Sequence, residues 1–251
     1  MVGLTPFEAA QALATPVGYL GGRWMVDPAT YERGAAAGVV GRAFYIVGRG
    51  AALGDVSGAI VASAMAFFPP PAVEAEWREG RSVLDPAAAL RAFSECCWQW
   101  ARGRMTQAPD LERTNSLLTR VVDNACAAAL PLFAGWRQAP RPADPPALAG
   151  HLVHVLREHR GGTHALAVLA SGLTPLEAVV GRASMMPSLS PKAAGWSDPL
   201  PAVTDGLLAT LSAAEELTNQ MVAPALTVLD PAERVELVER LLAIRPRPKS
   251  G

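Results

Sequence analysis

The chain has 251 residues, a net charge of −1 and a hydrophobic share of 50%. This near-neutral charge excludes a strong positive field that would gather the protein on nucleic acid or on an anionic membrane. The three cysteines, Cys96, Cys97 and Cys126, form neither a CxxC pair nor the disulfide framework of a small secreted protein. We therefore expect free thiols.

The start of the chain and its most apolar run carry no targeting or membrane signal. The opening MVGLTPFEAA lacks the basic start and the long apolar core of a signal peptide. The apolar run 58–68 is too short to span a bilayer and is followed by three prolines. We therefore expect a cytoplasmic protein with no membrane partner.

Helix signals recur through the first half of the chain. Thr5 before Pro6 predicts a helix start, followed by a loop at 15–24, and Asp27 before Pro28 predicts a second start. Further helices are expected at 58–68, at 72–80, from Asp85 onward, and as one long helix over 110–132.

Glycines punctuate the segment between residues 38 and 54. Gly38, Gly41 and Gly48 have helical spacing, which predicts close contacts between helices. The segment GRGAALG lacks the Lys and Ser/Thr that end a phosphate-binding loop, so a nucleotide site is not expected there.

The second half contains a stiff linker at 140–146 and then the histidine-rich segment. The sequence Thr174-Pro175-Leu176-Glu177 predicts a capping box that starts a further helix. A loop is expected at 184–201 and helices at 202–222 and 230–244. No alternation typical of strands is sustained, so the fold class is predicted to be all-α, a multi-helix orthogonal bundle.

All four histidines lie within residues 151–164, HLVHVLREHRGGTH. A helix over 147–159 would place His151, His154 and Glu158 within an arc of about 60°. Two imidazoles and a carboxylate at such spacing could bind a divalent metal or act as an acid/base pair. The glycines at 161 and 162 are expected to interrupt the helix and could return His164 to the same face.

An ordinary structural role is the alternative. Histidine and glutamate at these spacings often make simple hydrogen bonds, and the segment does not match the HExxH zinc motif. Arg49 and Arg160 could hold an anionic substrate group, but each alone more commonly forms a buried salt bridge or caps a carbonyl. Both interpretations remain open at this point.

Four segments carry a resemblance to a known family: residues 38–54, FFPPPAV at 67–73, LPLF at 130–133, and LREHRGGTHALAVLASGL at 156–173. Together they resemble an actinobacterial family of largely uncharacterised helical proteins that is usually labelled a helix-turn-helix family. The resemblance runs from about residue 5 to 182 and resumes from about 215 to 242. It implies that His151, Glu158, His159 and His164 form the site, whereas His154 is not part of the family pattern.

Two departures from the family pattern affect what can be carried over. The family opens with Glu-Pro-Val-His, whereas this chain has Thr15-Pro16-Val17-Gly18, which can neither titrate nor bind a metal.

In the family's winged-helix-like part, a GWS element precedes a helix and a wing. Here Gly195-Trp196-Ser197-Asp198 is followed at once by Pro199. We therefore expect a helical domain at 1–183 and, packed on it, a degenerate, shortened winged-helix-like region at 184–251.

Nucleic acid is not an expected partner. The segment ATLSAAEELTNQ contains Glu215 and Glu216 and no Lys or Arg, whereas a recognition helix needs basic or amide side chains. The only basic cluster, Arg245, Arg247 and Lys249, alternates with prolines and is predicted to be a solvated end.

The leading hypothesis is a small-molecule enzyme or ligand-binding protein of specialised metabolism that uses acid/base or metal-assisted chemistry. The catalytic candidates are His151, Glu158, His159 and His164; the substrate-binding candidates are Arg49 and Arg160; the metal-ligand candidates are His151, His154 and Glu158. Haem is a further but less favoured cofactor. The alternative is a non-catalytic ligand-sensing or regulatory protein of helix-turn-helix descent with little or no DNA binding. Either protein could form a homodimer.

Overall fold

The computed structural model describes residues 3–106, 108–185 and 190–244. Within these ranges the chain is 75% helical, with twelve α-helices and no strands, so the all-α prediction is confirmed. The helices are α1 Pro6–Gly22, α2 Pro28–Ala36, α3 Gly41–Gly50, α4 Gly58–Ala64, α5 Pro70–Arg81, α6 Pro86–Met105, α7 Leu111–Asn124, α8 Pro131–Gln138, α9 Pro145–Ala170, α10 Pro175–Met185, α11 Asp205–Val222 and α12 Pro231–Ala243. The basic residues 245, 247 and 249 lie outside the described ranges.

Most helices begin as their sequences predict. A capping side chain followed by proline starts α1, α2, α6 and α12 as predicted, because the side-chain oxygen accepts an otherwise unpaired N–H and proline needs none. Helix α9 starts in the same way at Asp144 and Pro145, within the segment 140–146 that was predicted to be a linker. The capping box at the start of α10 is also present, since Thr174 and Glu177 bond each other's backbone N–H groups.

The loop predicted at 15–24 was wrong. Helix α1 continues through Pro16 to Gly22, and only then does a short 3-10 turn follow, Arg23–Val26. Proline inside a helix removes one hydrogen bond, but Val17 and Leu20 are buried in the core, and this packing offsets the loss. At Gly21 the backbone lies so close to α9 that an added Cβ would be 2.7 Å from the Val153 carbonyl oxygen.

The predicted long helix over 110–132 was also wrong. Helix α7 ends at Asn124 and α8 begins at Pro131, with Ala129 in the left-handed region at φ 59° between them. Proline favours the first turn of a helix, so Pro131 starts a new helix and cannot continue the old one. The run 58–68 is likewise shorter than expected, because α4 ends at Ala64.

Gly48 confirms the predicted close contact between helices. A Cβ at this position of α3 would lie 2.5 Å from the ring of Phe93 on α6. Gly38, in the turn before α3, and Gly41, the first residue of α3, have a different role, because they adopt positive φ, 85° and 59°. Glycine is favoured there since other residues are strained in that conformation.

Helix α9 is the central element, and it does not stop at its glycines. It runs unbroken from Pro145 to Ala170, so the predicted interruption at Gly161 and Gly162 was wrong. The absence of a side chain at Gly162 makes room for Leu130, which an added Cβ would approach to 2.8 Å. Helices α1, α6, α7, α8 and α11 all pack against α9.

Helices α9 and α10 form a helix-turn-helix unit. They are bent by 108° around the turn between Ala170 and Pro175, in which Gly172 has φ 77°. Perpendicular helices joined by a short turn containing glycine are typical of this motif. A small second core packs α10 and α11 on the end of α9, with Val168, Ala178 and Leu211 among its buried members.

The segment that follows α10 has no regular structure where it is described. Residues 190–204 form turns and bends without helix or strand, and Trp196 Nε1 donates to the Phe67 carbonyl at 3.0 Å. The predicted domain boundary at 183/184 adjoins residues 186–189, which lie outside the described ranges, and the division into two domains stays a prediction.

No single helix within the described ranges is long and apolar enough to cross a bilayer. Two sharply bent pairs, α3 with α4 and α9 with α10, reach that length and apolarity only when each pair is taken together.

Candidate functional site

Glu158 is the centre of a buried charge cluster. It is 1% exposed, and its carboxylate accepts hydrogen bonds from Arg49 Nε at 2.9 Å and Arg49 Nη2 at 2.8 Å. Arg157 Nη1 donates to the same carboxylate at 2.9 Å. Burial alone would raise the pKa of Glu158, but the two guanidinium groups outweigh it and hold the pKa at about 2.

Arg49 is fully engaged inside the protein. Its Nη1 donates to the Tyr45 hydroxyl at 3.2 Å, and its backbone carbonyl accepts from Trp136 Nε1 at 3.1 Å. The bidentate bond to Glu158 therefore joins α3 to α9, while Trp136 adds α8. Arg49 therefore forms a buried salt bridge, which was the predicted alternative to substrate binding. Its guanidinium group is not accessible to a substrate.

His154 lies between two tryptophans. Its ring is edge-on to Trp136 at a centroid distance of 4.5 Å and to Trp24 at 5.1 Å. Its Nδ1 is 3.2 Å from the Gly21 carbonyl oxygen, and because a carbonyl only accepts, Nδ1 carries the proton. Its Nε2 is buried without a hydrogen-bond partner among the described residues. Burial is the main cause that lowers the pKa of His154 to about 3.

His151 and His159 are also buried and neutral. Burial, with a smaller contribution from Arg141, lowers the pKa of His151 to about 4. Burial, with Arg137 and Arg160, lowers the pKa of His159 to about 4.

The surroundings of His159 are apolar and closely packed. Its ring lies edge-on to Phe133 with centroids 4.9 Å apart. It lines a cavity of about 30 Å³ whose other walls are largely apolar. Such a cavity has room for a water molecule or two but not for a substrate, and still less for a haem.

His164 lies on the opposite side of α9, in a polar setting. Its Nδ1 is 2.9 Å from Thr218 Oγ1, and Thr218 donates its own hydrogen to the Ala214 carbonyl at 2.7 Å. The Thr218 oxygen therefore accepts, and His164 Nδ1 donates. Glu215 Oε2 is 3.5 Å from the same nitrogen and also forms an ion pair with Arg160. Burial lowers the pKa of His164, against the opposing effect of Glu215.

The predicted site residues therefore do not converge on one point. The structure brings Arg49 to Glu158, places His154 Nδ1 4.0 Å from Glu158 Oε1, and brings Arg160 to His164 through Glu215. The four histidines nevertheless lie in separate surroundings. The reason is the continuous helix: thirteen residues after His151, His164 has turned by about 140° around the axis.

A metal centre is not assembled from the predicted ligands. Within the described ranges, no group of three or more His, Cys, Asp or Glu side chains is placed to hold a metal ion. The Glu158 oxygens face guanidinium groups, and His154 Nδ1 faces a carbonyl 3.2 Å away, so neither is available to a cation. The Nε2 atoms of His151 and His154 have no partner among the described residues, but without the carboxylate they do not complete the predicted ligand set. The donor set thus does not fit a divalent metal.

Sequence reasoning missed the partners of these residues. Tyr45 precedes Arg49 by four residues and so lies on the same helix face, which is a signal that could have been used. Glu215 and the two tryptophans around His154 are distant in sequence, and no local pattern indicates that they meet.

A larger surface cleft lies elsewhere. It encloses about 400 Å³ beside α4 and α5 and includes none of the predicted site residues; its lining is Gly58, Glu74, Trp77, Arg78, Arg81 and Ser82.

Comparison with known proteins gives one finding. A family model described as "Helix-turn-helix family" matches residues 10–247, nearly the whole chain. No curated protein and no solved structure matches significantly. The match agrees with the resemblance found in the sequence. The chain therefore belongs to this helix-turn-helix family.

Proposed function

We propose that this protein is a non-catalytic, ligand-responsive regulatory protein of helix-turn-helix descent that does not read DNA. The observation that carries the proposal is the charge of the helices available for recognition. A protein that binds DNA contacts phosphates and base edges mainly through Arg, Lys and amide side chains. Helices α10 and α11, which lie beyond the turn of the motif, offer only Arg182 and the amides of Asn219 and Gln220.

Helix α10 is the second helix of the motif, and its charged residues are Glu177 and Arg182. Helix α11 contains Asp205, Glu215 and Glu216 and no Lys or Arg. Of the two amides in α11, Asn219 is only 5% exposed. Neither helix presents a basic face to a phosphate backbone.

The state of the histidines supports a role without catalysis. A general base works best when its pKa is near the working pH and when it can reach a substrate. His151, His154 and His159 have lowered pKa values and are at most 4% exposed. They pack the core around α9, which leaves Arg160 and His164 as the candidate residues for ligand binding.

Duplex DNA is expected to bind more weakly than a Kd of about 10⁻⁴ M, outside the usual range of non-specific binding. The reason is that α10 and α11 together carry one cation, Arg182, and the measurement is fluorescence anisotropy with a labelled mixed-sequence duplex at physiological salt, the condition to which that range applies. The control replaces Arg245, Arg247 and Lys249 by alanine, because this basic tail could add non-specific attraction. Salt-sensitive, micromolar binding that persists in the control would overturn the proposal.

A further inference from the structure

We propose that the junction of α9, α10 and α11 binds a small oxyanion, a carboxylate or phosphate group of a metabolite. We call this the elbow site and define it by Arg157, Arg160, His164, Arg182 and Glu215. The inference rests on the proposed ligand-responsive function and names the chemical class of the ligand.

The first argument is the charge balance around Glu158 and Glu215. Three guanidinium groups, those of Arg49, Arg157 and Arg160, contact these two carboxylates, and the charge of Glu215 also acts on the nearby Arg182 without a direct contact. Arg49 already neutralises Glu158 through two hydrogen bonds. The positive charges of Arg157 and Arg160 repel that of Arg182 across the junction. This repulsion favours the binding of an anion between them.

The second argument is an unused donor. Arg160 Nη2 pairs with Glu215, but Arg160 Nη1 is buried without a hydrogen-bond partner among the described residues. A buried guanidinium nitrogen without an acceptor is unfavourable, and a guanidinium is well matched to the two oxygens of a carboxylate or phosphate. An oxyanion at Arg160 would supply the missing acceptor.

The third argument is the contrast between Arg160 and Glu215. The Arg160 side chain is 13% exposed and therefore fixed, whereas the Glu215 side chain is 48% exposed. An incoming anion would compete with Glu215 for Arg160, and Glu215 can turn out into solvent. Glu215 is thus an internal competitor, so removing its charge should strengthen binding.

The location connects the ligand to the motif. Arg157 and Arg160 are on α9, Arg182 is on α10, and Glu215 is on α11. An anion held by both arginine-bearing helices would favour one arrangement of the elbow over others, which is how a ligand shifts a conformational equilibrium.

The test is isothermal titration calorimetry with inorganic phosphate and with citrate, using sodium chloride of equal ionic strength as the reference. Saturable binding of one or both is expected. Glu215→Gln should tighten it by up to roughly tenfold, and Arg160→Gln should abolish it. Glu216→Gln on α11 and Arg91→Gln on α6 are the matched controls, since both residues are exposed, and they should bind as the unmodified protein does.

The outcomes separate the ligand classes and the two proposals. Binding of phosphate but not citrate indicates a phosphate group, and the reverse indicates a carboxylate. If Arg160→Gln does not fold, Arg182→Gln replaces it, because Arg182 is exposed. No saturable binding in either the unmodified protein or Glu215→Gln would overturn the elbow site. That result would leave the absence of DNA binding to be judged by its own assay.

Discussion

Replacing Glu158 by glutamine is expected to lower the free energy of unfolding by about 3–5 kcal/mol, the usual effect of breaking a buried ion pair. The substitution keeps the size of the side chain and removes the charge that accepts two hydrogen bonds from Arg49. Arg49 then remains buried with an uncompensated charge, which is the main cause of the loss.

The effect is measured by urea unfolding followed by circular dichroism. The control is Glu216→Gln, an exposed glutamate on α11, for which we expect a change within about 0.5 kcal/mol. A second variant, Glu158→Leu with Arg49→Met, removes both charges and should recover most of the stability. A loss below about 1 kcal/mol for Glu158→Gln, comparable to an exposed pair, would show that the pair is not buried and structural.

Lowering the pH from 7 to about 4.5 is expected to unfold the protein, because the buried histidines resist protonation. Their folded pKa values are about 4 for His151 and His159 and about 3 for His154, below the ordinary 6.5. Below pH 6.5 the unfolded chain therefore binds more protons than the folded one. Stability is fully present above pH 6.5 and falls as the pH drops towards the folded values.

The size of this effect follows from the number of histidines. Each contributes up to about 1.4 kcal/mol per pH unit, so three give a slope of up to about 4 kcal/mol per unit. A domain with a total stability of about 5–15 kcal/mol would then lose its fold within this range. Glu158 adds nothing to this loss above pH 4.5, since its pKa is lowered to about 2 and its contribution disappears only below 4.5.

The measurement is urea unfolding at half-unit steps between pH 7.5 and 5. His159→Gln should reduce the slope by about one third, because one of the three histidines that take up a proton on unfolding is removed. A free energy of unfolding that stays constant between pH 6.5 and 5 would contradict the burial of these histidines.

Local features of the fold could be predicted from the sequence. Thr5, Asp27 and Asp85, each followed by proline, start helices where expected, because capping depends on neighbours a few residues away. The path of α1 through Pro16 and of α9 through Gly162 could not be predicted. Tertiary packing decides both, and the contacting residues are distant in the sequence.

In the candidate site, too, the residues could be predicted from the sequence but their tertiary contacts could not. Arg49 and Glu158 were each identified as candidates, but 109 residues separate them and nothing local indicates that they pair. Of the face predicted from His151, His154 and Glu158, the structure brings His154 and Glu158 to within 4.0 Å of each other. The remaining contacts of these residues are made with several different helices. Spacing along one helix gives angles, and it does not show which other helices cover each face.

Nuclear magnetic resonance titration of the histidine ring protons tests the central claim most directly, with each signal assigned by a single histidine-to-glutamine variant. The claim is that three of the histidines of α9, those at 151, 154 and 159, are packed, neutral parts of the core. The signals of His151, His154 and His159 are then expected to stay unchanged from pH 8 to 6, because the folded pKa values are about 4, 3 and 4. A signal from any of the three that titrates with a pKa near the ordinary 6.5 would contradict the claim and return that residue to the list of acid/base candidates.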